Sequence, residues 1–368
     1  MQATRAIIHI DNLRRNIEVA RNKIGPHPKI CLPVKADAYG HGAVCLSQYA
    51  LDAGVEYLAV AGVSEGAELR SSGINAPILL LSQALPEELP LIAPLELIPL
   101  VSDVEFIEEA ARAAEEAKKQ LTIHLKMDTG MGRLGCHPDE AVSLAKKIVS
   151  CSWLRLGGVA THLSVSDSPE SDDIAYTKEQ LRWFRETLAS IRNAGIDPGL
   201  AHAANSGALV LHEDSYFDMV RPGLFLYGYS PVKNYPLSTV PVMELRSAVV
   251  FIKKVKKGED ISYGRTWTAQ EDTFIGVIPA GYADGFPCGL SSNHSVLIRG
   301  KSYPLAGRIC MDQCVVNLGP ETEVQRWDEA VIFGPDFINV ANMAEKLNTI
   351  PYEITCNINK RVPREYAF

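Results

Sequence analysis

Two charged side chains stand where apolar runs of the sequence end, a position at which burial changes their chemistry. Lys35 closes the run ICLPVK, and Arg221 closes the run DMVR. A desolvated lysine loses proton affinity and becomes a nucleophile suited to a Schiff base with an aldehyde, whereas an arginine stays protonated. A lysine in this position can equally be a surface residue with a buried stem, so Lys35 alone leaves both interpretations open.

Further polar residues recur after other apolar runs. Lys126 and Arg133 occur in KMDTGMGRLG, His162 in THLS and Ser206 in HAANSGA. A single residue of this kind is usually part of the framework, but several together favour a functional site. The small residues around Ser206 and Gly223 leave backbone N–H groups free for a phosphate. A phosphorylated cofactor beside a Schiff-base lysine is most economically pyridoxal phosphate.

These residues need a scaffold that gathers the ends of many strands, and the sequence predicts one. Apolar runs alternate with segments of 3.6-residue apolar periodicity, a pattern typical of parallel strands covered by helices. Eight such runs predict a (β/α)8 barrel, in which functional groups collect at the carboxyl ends of the strands. The predicted strands are 30–35, 57–61, 77–82, 96–101, 121–126, 156–163, 199–204 and 218–221, and the clearest helices are 103–118, 138–149 and 176–193.

The pattern changes after about residue 235. Short β-branched segments separated by Gly, Pro and Asn predict a mostly antiparallel β-domain in this part of the chain. Its predicted strands are 241–255, 274–279, 295–299, 313–318 and 329–333, and one helix is predicted over 340–347. We therefore expect two closely packed domains, a barrel over 1–235 and a β-domain over 236–368.

Composition excludes several classes of protein. The 368 residues are 46% hydrophobic and 22% charged, as in ordinary globular proteins. The net charge of −8 provides no basic surface for nucleic acid or anionic lipid. The amino terminus does not read as a signal peptide, no run of 18 apolar residues occurs, and the cysteines are scattered, so we expect a cytoplasmic protein with reduced thiols. Cys310 and Cys314 lack a second pair at zinc-ligand spacing, so no metal site is predicted.

Nine ordered motifs make the sequence resemble the alanine racemase family. Any one of them is weak, but the set is specific and extends from the opening AIIHIDNLRRNI to the last fifteen residues. The resemblance implies a pyridoxal phosphate enzyme of fold type III with an N-terminal barrel and a C-terminal β-domain. The motifs are VKADAYGHG with Lys35, KMDTGMGRLG with Arg133, THLSVSD with His162, HAANSGA with Ser206, VRPGLFLYG with Arg221, SYGRTW with Tyr263, GYADGFP, GRICMDQ with Met311 and IPYE with Tyr352.

The resemblance implies two bases on opposite faces of the substrate Cα. Lys35 is expected to hold the cofactor and to act on one face. Tyr263 is expected to act on the other, reaching in from the partner chain of a homodimer with shared active sites. Inversion needs two bases because a single base tends to return the proton to the face it left. A tyrosine is a poor base at neutral pH without stabilising neighbours, and the family places His162 and Arg221 there.

The same resemblance assigns the cofactor contacts. Arg221 is expected to face the pyridine nitrogen, which stays unprotonated beside an arginine and makes the ring a weaker electron sink. The short-lived carbanion that results favours plain return of the proton. The residues that match the phosphate-binding positions are Tyr39, Ser206, Gly223, Leu224 and Tyr352.

Substrate contacts are implied in the same way. Arg133 and Met311 match positions near the substrate carboxylate, Met311 from the second subunit. Lys126 matches a position that is often N-carboxylated, which would turn a cation into an anion able to hold Arg133. Tyr352 is expected to narrow the entrance, together with Tyr263, so that only a small side chain enters. The expected product is D-alanine for peptidoglycan.

Three alternatives stay open from the sequence. A serine or broad-specificity racemase would share this machinery and differ only in substrate. A non-catalytic barrel protein that binds pyridoxal phosphate would lack the second domain. A fold-type III decarboxylase would need a catalytic cysteine, for which Cys356 is a candidate. Cys288 departs from the family, in which an arginine is common at this position, and any entrance contact made by that arginine is in doubt.

Overall fold

The chain combines a barrel of parallel strands with a β-domain. A computed structural model describes residues 3–232 and 238–368. The described residues form an eight-stranded parallel sheet wrapped in helices, together with mostly antiparallel sheets. The predicted fold class, a (β/α)8 barrel followed by a mostly antiparallel β-domain, is confirmed. The predicted boundary between residues 235 and 236 lies outside the described residues.

The barrel strands are short and apolar, and each overlaps one of the predicted runs, with ends that differ by up to three residues. Leu58 and Ile123, for example, are fully buried, because helices cover one face of the sheet and side chains fill the other. After β1 (Arg5–His9), the strands are β2 (Lys29–Pro33), β3 (Tyr57–Val60), β4 (Ile78–Leu80), β5 (Leu97–Val101), β6 (Leu121–Lys126), β7 (Leu154–Ala160), β8 (Leu200–His202) and β9 (Met219–Val220). They pair in the order β8-β7-β6-β5-β4-β3-β2-β9.

The barrel closes between β8 and β9 through individual hydrogen bonds. The Asp218 N–H donates to the Ala201 carbonyl at 3.0 Å, and the Arg221 N–H donates to the Ala204 carbonyl at 2.8 Å. The Asp218 carboxylate accepts from the Ala201 N–H at 2.7 Å. Closure therefore brings Arg221 to the same rim as Lys35, which follows the neighbouring strand β2.

Helices cover the barrel, each with one buried face. Before Val104–Glu116, Asp103 caps the helix by accepting the Phe106 N–H at 2.8 Å, and Phe106 and Ala110 lie on its buried side. None of the helices in the described ranges combines the length and apolar character that a membrane crossing needs. The helices up to residue 226 are Ile10–Ile24, Ala43–Asp52, Val63–Ser71, Leu89–Ile92, Val104–Glu116, Pro138–Ser150, Ser171–Asn193, Ser206–Leu211 and Gly223–Leu226.

The β-domain contains three sheets within the described residues. Its strands are β10 (Met243–Ala248), β11 (Phe251–Val255), β12 (Asp260–Ile261), β13 (Trp267–Thr268), β14 (Thr273–Ile278), β15 (Ser295–Ile298), β16 (Lys301–Pro304), β17 (Cys314–Gly319), β18 (Glu329–Phe333) and β19 (Arg364–Ala367). The sheet orders are β16-β15-β18-β10-β1-β19, β11-β14-β17 and β12-β13. The predicted helix is observed as Val340–Leu347, and a second helix, Pro351–Cys356, was not predicted.

The strands differ from the sequence prediction in two further ways, besides β12, β13, β16 and β19, which were not predicted. The predicted strand 241–255 is two strands in different sheets, because β10 pairs with β18 whereas β11 pairs with β14. The opening strand β1 was included in the barrel domain, yet it pairs with β10 and β19 of the β-domain. Strands that pair in a sheet can be far apart in the sequence. A single domain boundary along the chain therefore does not describe the place of β1.

Candidate active site

A cavity of about 1000 Å³ opens at the carboxyl ends of the barrel strands. Parallel strands end at one rim, so the side chains that follow them converge there. A second cavity, of about 1110 Å³, lies between the helices Pro138–Ser150 and Ser171–Asn193, but its lining among the described residues includes no lysine for a Schiff base. Ten of the predicted site residues line the rim cavity: Lys35, Tyr39, Lys126, Arg133, His162, Ser206, Arg221, Gly223, Leu224 and Tyr352.

Lys35 and Tyr39 flank a turn with an unusual backbone. Residues 36–39 all adopt left-handed φ angles between 51° and 55°. L-residues disfavour this region by roughly 1–2 kcal/mol each, so the surrounding structure has to stabilise the turn. Part of that support comes from the Asp37 carboxylate, which accepts the Ala43 N–H at 2.8 Å. The turn places both Lys35 and Tyr39 in the lining of the cavity.

Hydroxyl and N–H groups converge in one part of the cavity. The Leu224 N–H donates to the Tyr352 hydroxyl at 3.0 Å, and the N–H of the next residue donates to the Ser206 hydroxyl at 3.2 Å. A Cβ on Gly223 would lie 3.1 Å from the Tyr39 hydroxyl, so glycine keeps this space open. Burial raises the pKa of Tyr352 to about 12 and holds that of Tyr39 well above its usual range. Both hydroxyls therefore stay protonated and serve as donors.

Arg221 is buried and organises two histidines. It donates to His202 Nδ1 at 2.6 Å and to the Thr161 carbonyl at 2.7 Å. Because arginine has no acceptor, His202 Nδ1 carries a lone pair, and the Nε2 proton is left to donate to His124 Nδ1 at 2.9 Å. Burial lowers the pKa of Arg221 to about 10, which still lies well above neutral pH. The cavity therefore contains a fixed cation.

His162 is a neutral neighbour of that cation. Its Nδ1 lies 3.5 Å from Arg221 Nη2 and accepts a hydrogen bond from it. Burial, and then the positive charge of Arg221, lower the pKa of His162 to about 2. With Nδ1 used as the acceptor, the imidazole keeps its proton on Nε2 and has one donor left for a group in the cavity.

Lys126 and Arg133 approach the cavity from β6 and the loop that follows it. Lys126 is 7% exposed, and burial, followed by the charges of Arg221 and Arg133, holds the pKa of its amine well below the usual range. The backbone that carries Arg133 is organised by Asp128, whose carboxylate accepts the four consecutive N–H groups of residues 130–133 at distances of 2.8–3.1 Å. The amine of Lys126 is thus driven towards its neutral form beside a rigid loop.

Tyr263 and Met311 lie on the β-domain surface, away from the cavity of their own chain. Tyr263 is 71% exposed and Met311 is 53% exposed, and neither belongs to the lining that the described part of the chain provides. Their loops are neighbours, since the hydroxyl of Ser262 lies 3.6 Å from the sulfur of Cys310. Cys288 is also exposed on this domain.

Three contacts at the site were missed from the sequence. Glu65 accepts the Ala36 N–H beside Lys35, Asp128 organises the loop before Arg133, and His124 supports His202. A carboxylate in the first turn of a helix, as in Glu65, is a signal for backbone capping. An aspartate before a glycine-rich loop, as in Asp128, is a signal of the same kind. His124 lies within an apolar run and carries no such signal.

Comparison with known proteins places the chain in one family. Its residues 8–231 match the model of the alanine racemase N-terminal domain, and residues 242–366 match that of the C-terminal domain. An alanine racemase of Treponema denticola is 50% identical, over 99% of this chain and 98% of that protein.

Solved structures of alanine racemases agree with this family assignment. An alanine racemase of Clostridium difficile 630 superimposes with a TM-score of 0.95 at 34% identity, covering 100% of this chain and 96% of that one. The alanine racemase of Bacillus anthracis, solved with bound L-Ala-P, superimposes with a TM-score of 0.92 at 32% identity, covering 100% and 96%. Two domain models in sequence order and full-length similarity leave one assignment: the chain belongs to the alanine racemase family and is an amino-acid racemase, an isomerase.

Proposed function

We propose that this protein interconverts L-alanine and D-alanine with pyridoxal phosphate as its cofactor, by proton transfer at Cα between two bases on opposite faces. The observation that carries the proposal is the rim cavity, in which Lys35, a set of protonated hydroxyls and the cationic Arg221 share one space. The relative solved with bound L-Ala-P supports a small amino-acid substrate.

The residues of the cavity fit pyridoxal phosphate at three points. The amine of Lys35 suits its aldehyde, and Arg221 suits the lone pair of its pyridine nitrogen. Bound there, the cofactor supplies electron withdrawal from the substrate Cα, which acidifies the Cα proton. The donors that suit its phosphate are the hydroxyls of Tyr39, Ser206 and Tyr352; Gly223 and Leu224 lie beside them, with the Leu224 N–H donating to the Tyr352 hydroxyl in this structure.

Arg221 determines where protons stay. It has donors only, and a pKa of about 10 keeps it charged at neutral pH, so a ring nitrogen facing it keeps its lone pair. His202 and His124 support Arg221 through hydrogen bonds. Burial lowers the pKa values of both histidines, so both stay neutral. A proton removed from Cα is therefore returned to Cα by one of the two bases, and not by the ring nitrogen or the histidines, as racemisation requires.

Lys35 holds the cofactor and takes or returns the proton on one face of Cα, and Tyr263 serves the opposite face. Tyr263 is 71% exposed and does not line the cavity of its own chain, which supports an approach to the cavity of a second copy of the protein. We therefore propose a homodimer with shared active sites. In it the barrel, 1–235, binds the cofactor, and the β-domain, 236–368, completes the partner's cavity with Tyr263 and Met311.

Lys126 is proposed to carry an N-carboxyl group. Reaction with CO2 needs a neutral amine, and burial lowers the pKa of Lys126 in the required direction. The amine nitrogen bonds to the carbon of CO2 and releases one proton, which leaves a carbamate anion. Such an anion would replace a neutral amine with a negatively charged partner for Arg133, which is proposed to bind the substrate carboxylate with Met311.

Selectivity and cellular role follow from the same family assignment. Tyr352 lines the cavity and, with Tyr263, is proposed to narrow the entrance to a methyl side chain. Cys356 also lines it, but burial raises the pKa of this thiol, which keeps it protonated and a weak nucleophile. The eight cysteines are free, which supports a reducing cytoplasm as the place of action, with D-alanine supplied to peptidoglycan.

The first experiment tests substrate and cofactor together. Purified protein with added pyridoxal phosphate should convert L-alanine to D-alanine, measured by chiral chromatography, and L-serine much more slowly. Conversion of serine at the same rate would favour the broad-specificity alternative. Lys35→Ala should abolish turnover and the lysine-linked cofactor recovered after borohydride reduction. Lys29→Ala, at the amino end of the strand that precedes Lys35, is the matched control and should retain both.

The second experiment tests the two-base scheme. Tyr263→Phe should leave cofactor binding intact and slow the removal of the Cα proton from L-alanine. Wash-in of solvent deuterium, followed separately from each enantiomer, measures this step. Tyr57→Phe, at the amino end of the barrel, is the control. Equal and fast wash-in from both enantiomers in Tyr263→Phe would contradict the scheme.

A further inference from the structure

The direction of Lys35 depends on the left-handed turn that begins at the next residue. Four consecutive residues, Ala36 to Tyr39, have φ angles of 51°, 55°, 53° and 52°, and none of them is glycine. Each would relax to negative φ if the turn were not held. Ala36 is exposed, so packing does not hold this end of the turn. Backbone hydrogen bonds close the turn, among them the Ala38 N–H to the Val34 carbonyl at 2.8 Å, but they leave the Ala36 N–H for a contact outside it.

Glu65 supplies that contact. It lies in the first turn of the helix Val63–Ser71, which follows β3, and one of its oxygens, Oε1, accepts the Ala36 N–H at 2.7 Å. The other oxygen, Oε2, accepts the Ala61 N–H at 2.7 Å. One carboxylate thus joins two neighbouring loops of the barrel rim. Hydrogen bonds to a charged acceptor are about twice as strong as neutral ones.

The split use of the two oxygens separates this contact from ordinary helix capping. Capping needs only Oε2, which accepts the N–H of the N-cap residue Gly62 at 3.4 Å and that of Ala61 just before it. The bond to Ala36 spans 29 residues and stabilises no helix. Its effect is to hold the first residue after Lys35 in a conformation that alanine disfavours.

We propose that Glu65 is a positioning residue for Lys35: by accepting the Ala36 N–H, its carboxylate holds the left-handed turn and thereby the direction of the lysine. This inference rests on the proposed role of Lys35. It assigns no contact between Glu65 and the substrate or the cofactor. The predicted defect is therefore in the placement of the lysine, which lowers kcat, and only weakly in KM for alanine.

The test compares Glu65→Gln and Glu65→Asp with Glu68→Gln, an exposed change on the same helix. Aspartate keeps an acidic group in the first helical turn but is one methylene too short to reach both loops. In the cofactor-free protein, amide hydrogen exchange of the segment 34–43 should accelerate about tenfold in both Glu65 variants and not in Glu68→Gln. With the cofactor, kcat should fall about tenfold to a hundredfold.

A rescue variant separates strain from a general loss of stability. Glycine adopts positive φ without steric penalty, so adding Ala36→Gly to Glu65→Gln should restore part of kcat. If both Glu65 variants had the same amide exchange rates and the same kcat as the wild type, the inference would be overturned. A double variant no faster than Glu65→Gln would overturn the part assigned to strain. If the wild type with cofactor fails to racemise alanine, the proposed function fails, while the exchange measurement still decides the role of Glu65.

Discussion

Four buried histidines should make the protein sensitive to mild acid. His41, His124, His202 and His294 are each at most 3% exposed. Burial is the first cause that lowers their pKa values, to about 4 for His41 and His294, about 3 for His124 and well below the usual range for His202. The native protein therefore leaves them neutral at pH 5.5, whereas the unfolded chain protonates them below about pH 6.5.

The sign and the size of the effect follow from proton linkage. A histidine with a lowered native pKa contributes stability above the unfolded pKa, and this stability is lost as the pH falls towards the native value. At pH 5.5 each group has lost about 1.4 kcal/mol, the four together about 6 kcal/mol, and His162, with its pKa of about 2, adds about 1.4 kcal/mol more. Net stabilities of roughly 5–15 kcal/mol make this decisive. Carboxylates with lowered pKa values reduce stability only below about pH 4.5, so the loss of stability between about pH 6.5 and 5 comes from the histidines.

Urea unfolding followed by far-UV circular dichroism at a series of pH values between 7.5 and 5 measures this loss. His294→Gln isolates one group, because the glutamine amide can replace the Nε2–H that donates to the Ile332 carbonyl at 2.7 Å. As the pH is lowered, the unfolding free energy of this variant should fall less steeply than that of the wild type, by about 1.4 kcal/mol per pH unit. A wild-type slope below one proton between pH 6 and 5 would refute the reasoning.

Three further predictions concern the site. Asp128→Asn should raise the KM for alanine about tenfold with little change in kcat, because an amide donor replaces the acceptor of the Arg133 N–H; steady-state kinetics and the urea midpoint check it. Removing bicarbonate should raise the KM of the wild type but not of Lys126→Ala. Co-refolding equal amounts of Lys35→Ala and Tyr263→Ala should restore about a quarter of wild-type activity, since half of the dimers contain one intact site. No recovery despite demonstrated subunit exchange would place each site within one chain.

The barrel was predictable from the sequence, because buried parallel strands form continuous apolar runs whichever strands they pair with. All eight runs were recognisable, from Lys29–Pro33 to Met219–Val220. The gathering of Lys35, His162 and Arg221 in one cavity follows from the same fact, since parallel strands end at a common rim. The motif resemblance added what the periodicity could not, the family and its expected chemistry.

Tertiary structure decided the features that depend on distant partners. The pairing of β1 with β10 joins Arg5 to Arg246, and no local pattern announces it. No local pattern shows the separation of Tyr263 from the cavity of its own chain either, and only the motif resemblance implied it. The left-handed turn after Lys35 runs against local propensity and persists through its contact with Glu65. A local stretch of sequence shows the backbone preference of its residues and their apolar periodicity. Where a residue adopts a disfavoured conformation, the contacts that stabilise it come from distant residues and are visible only in the folded structure.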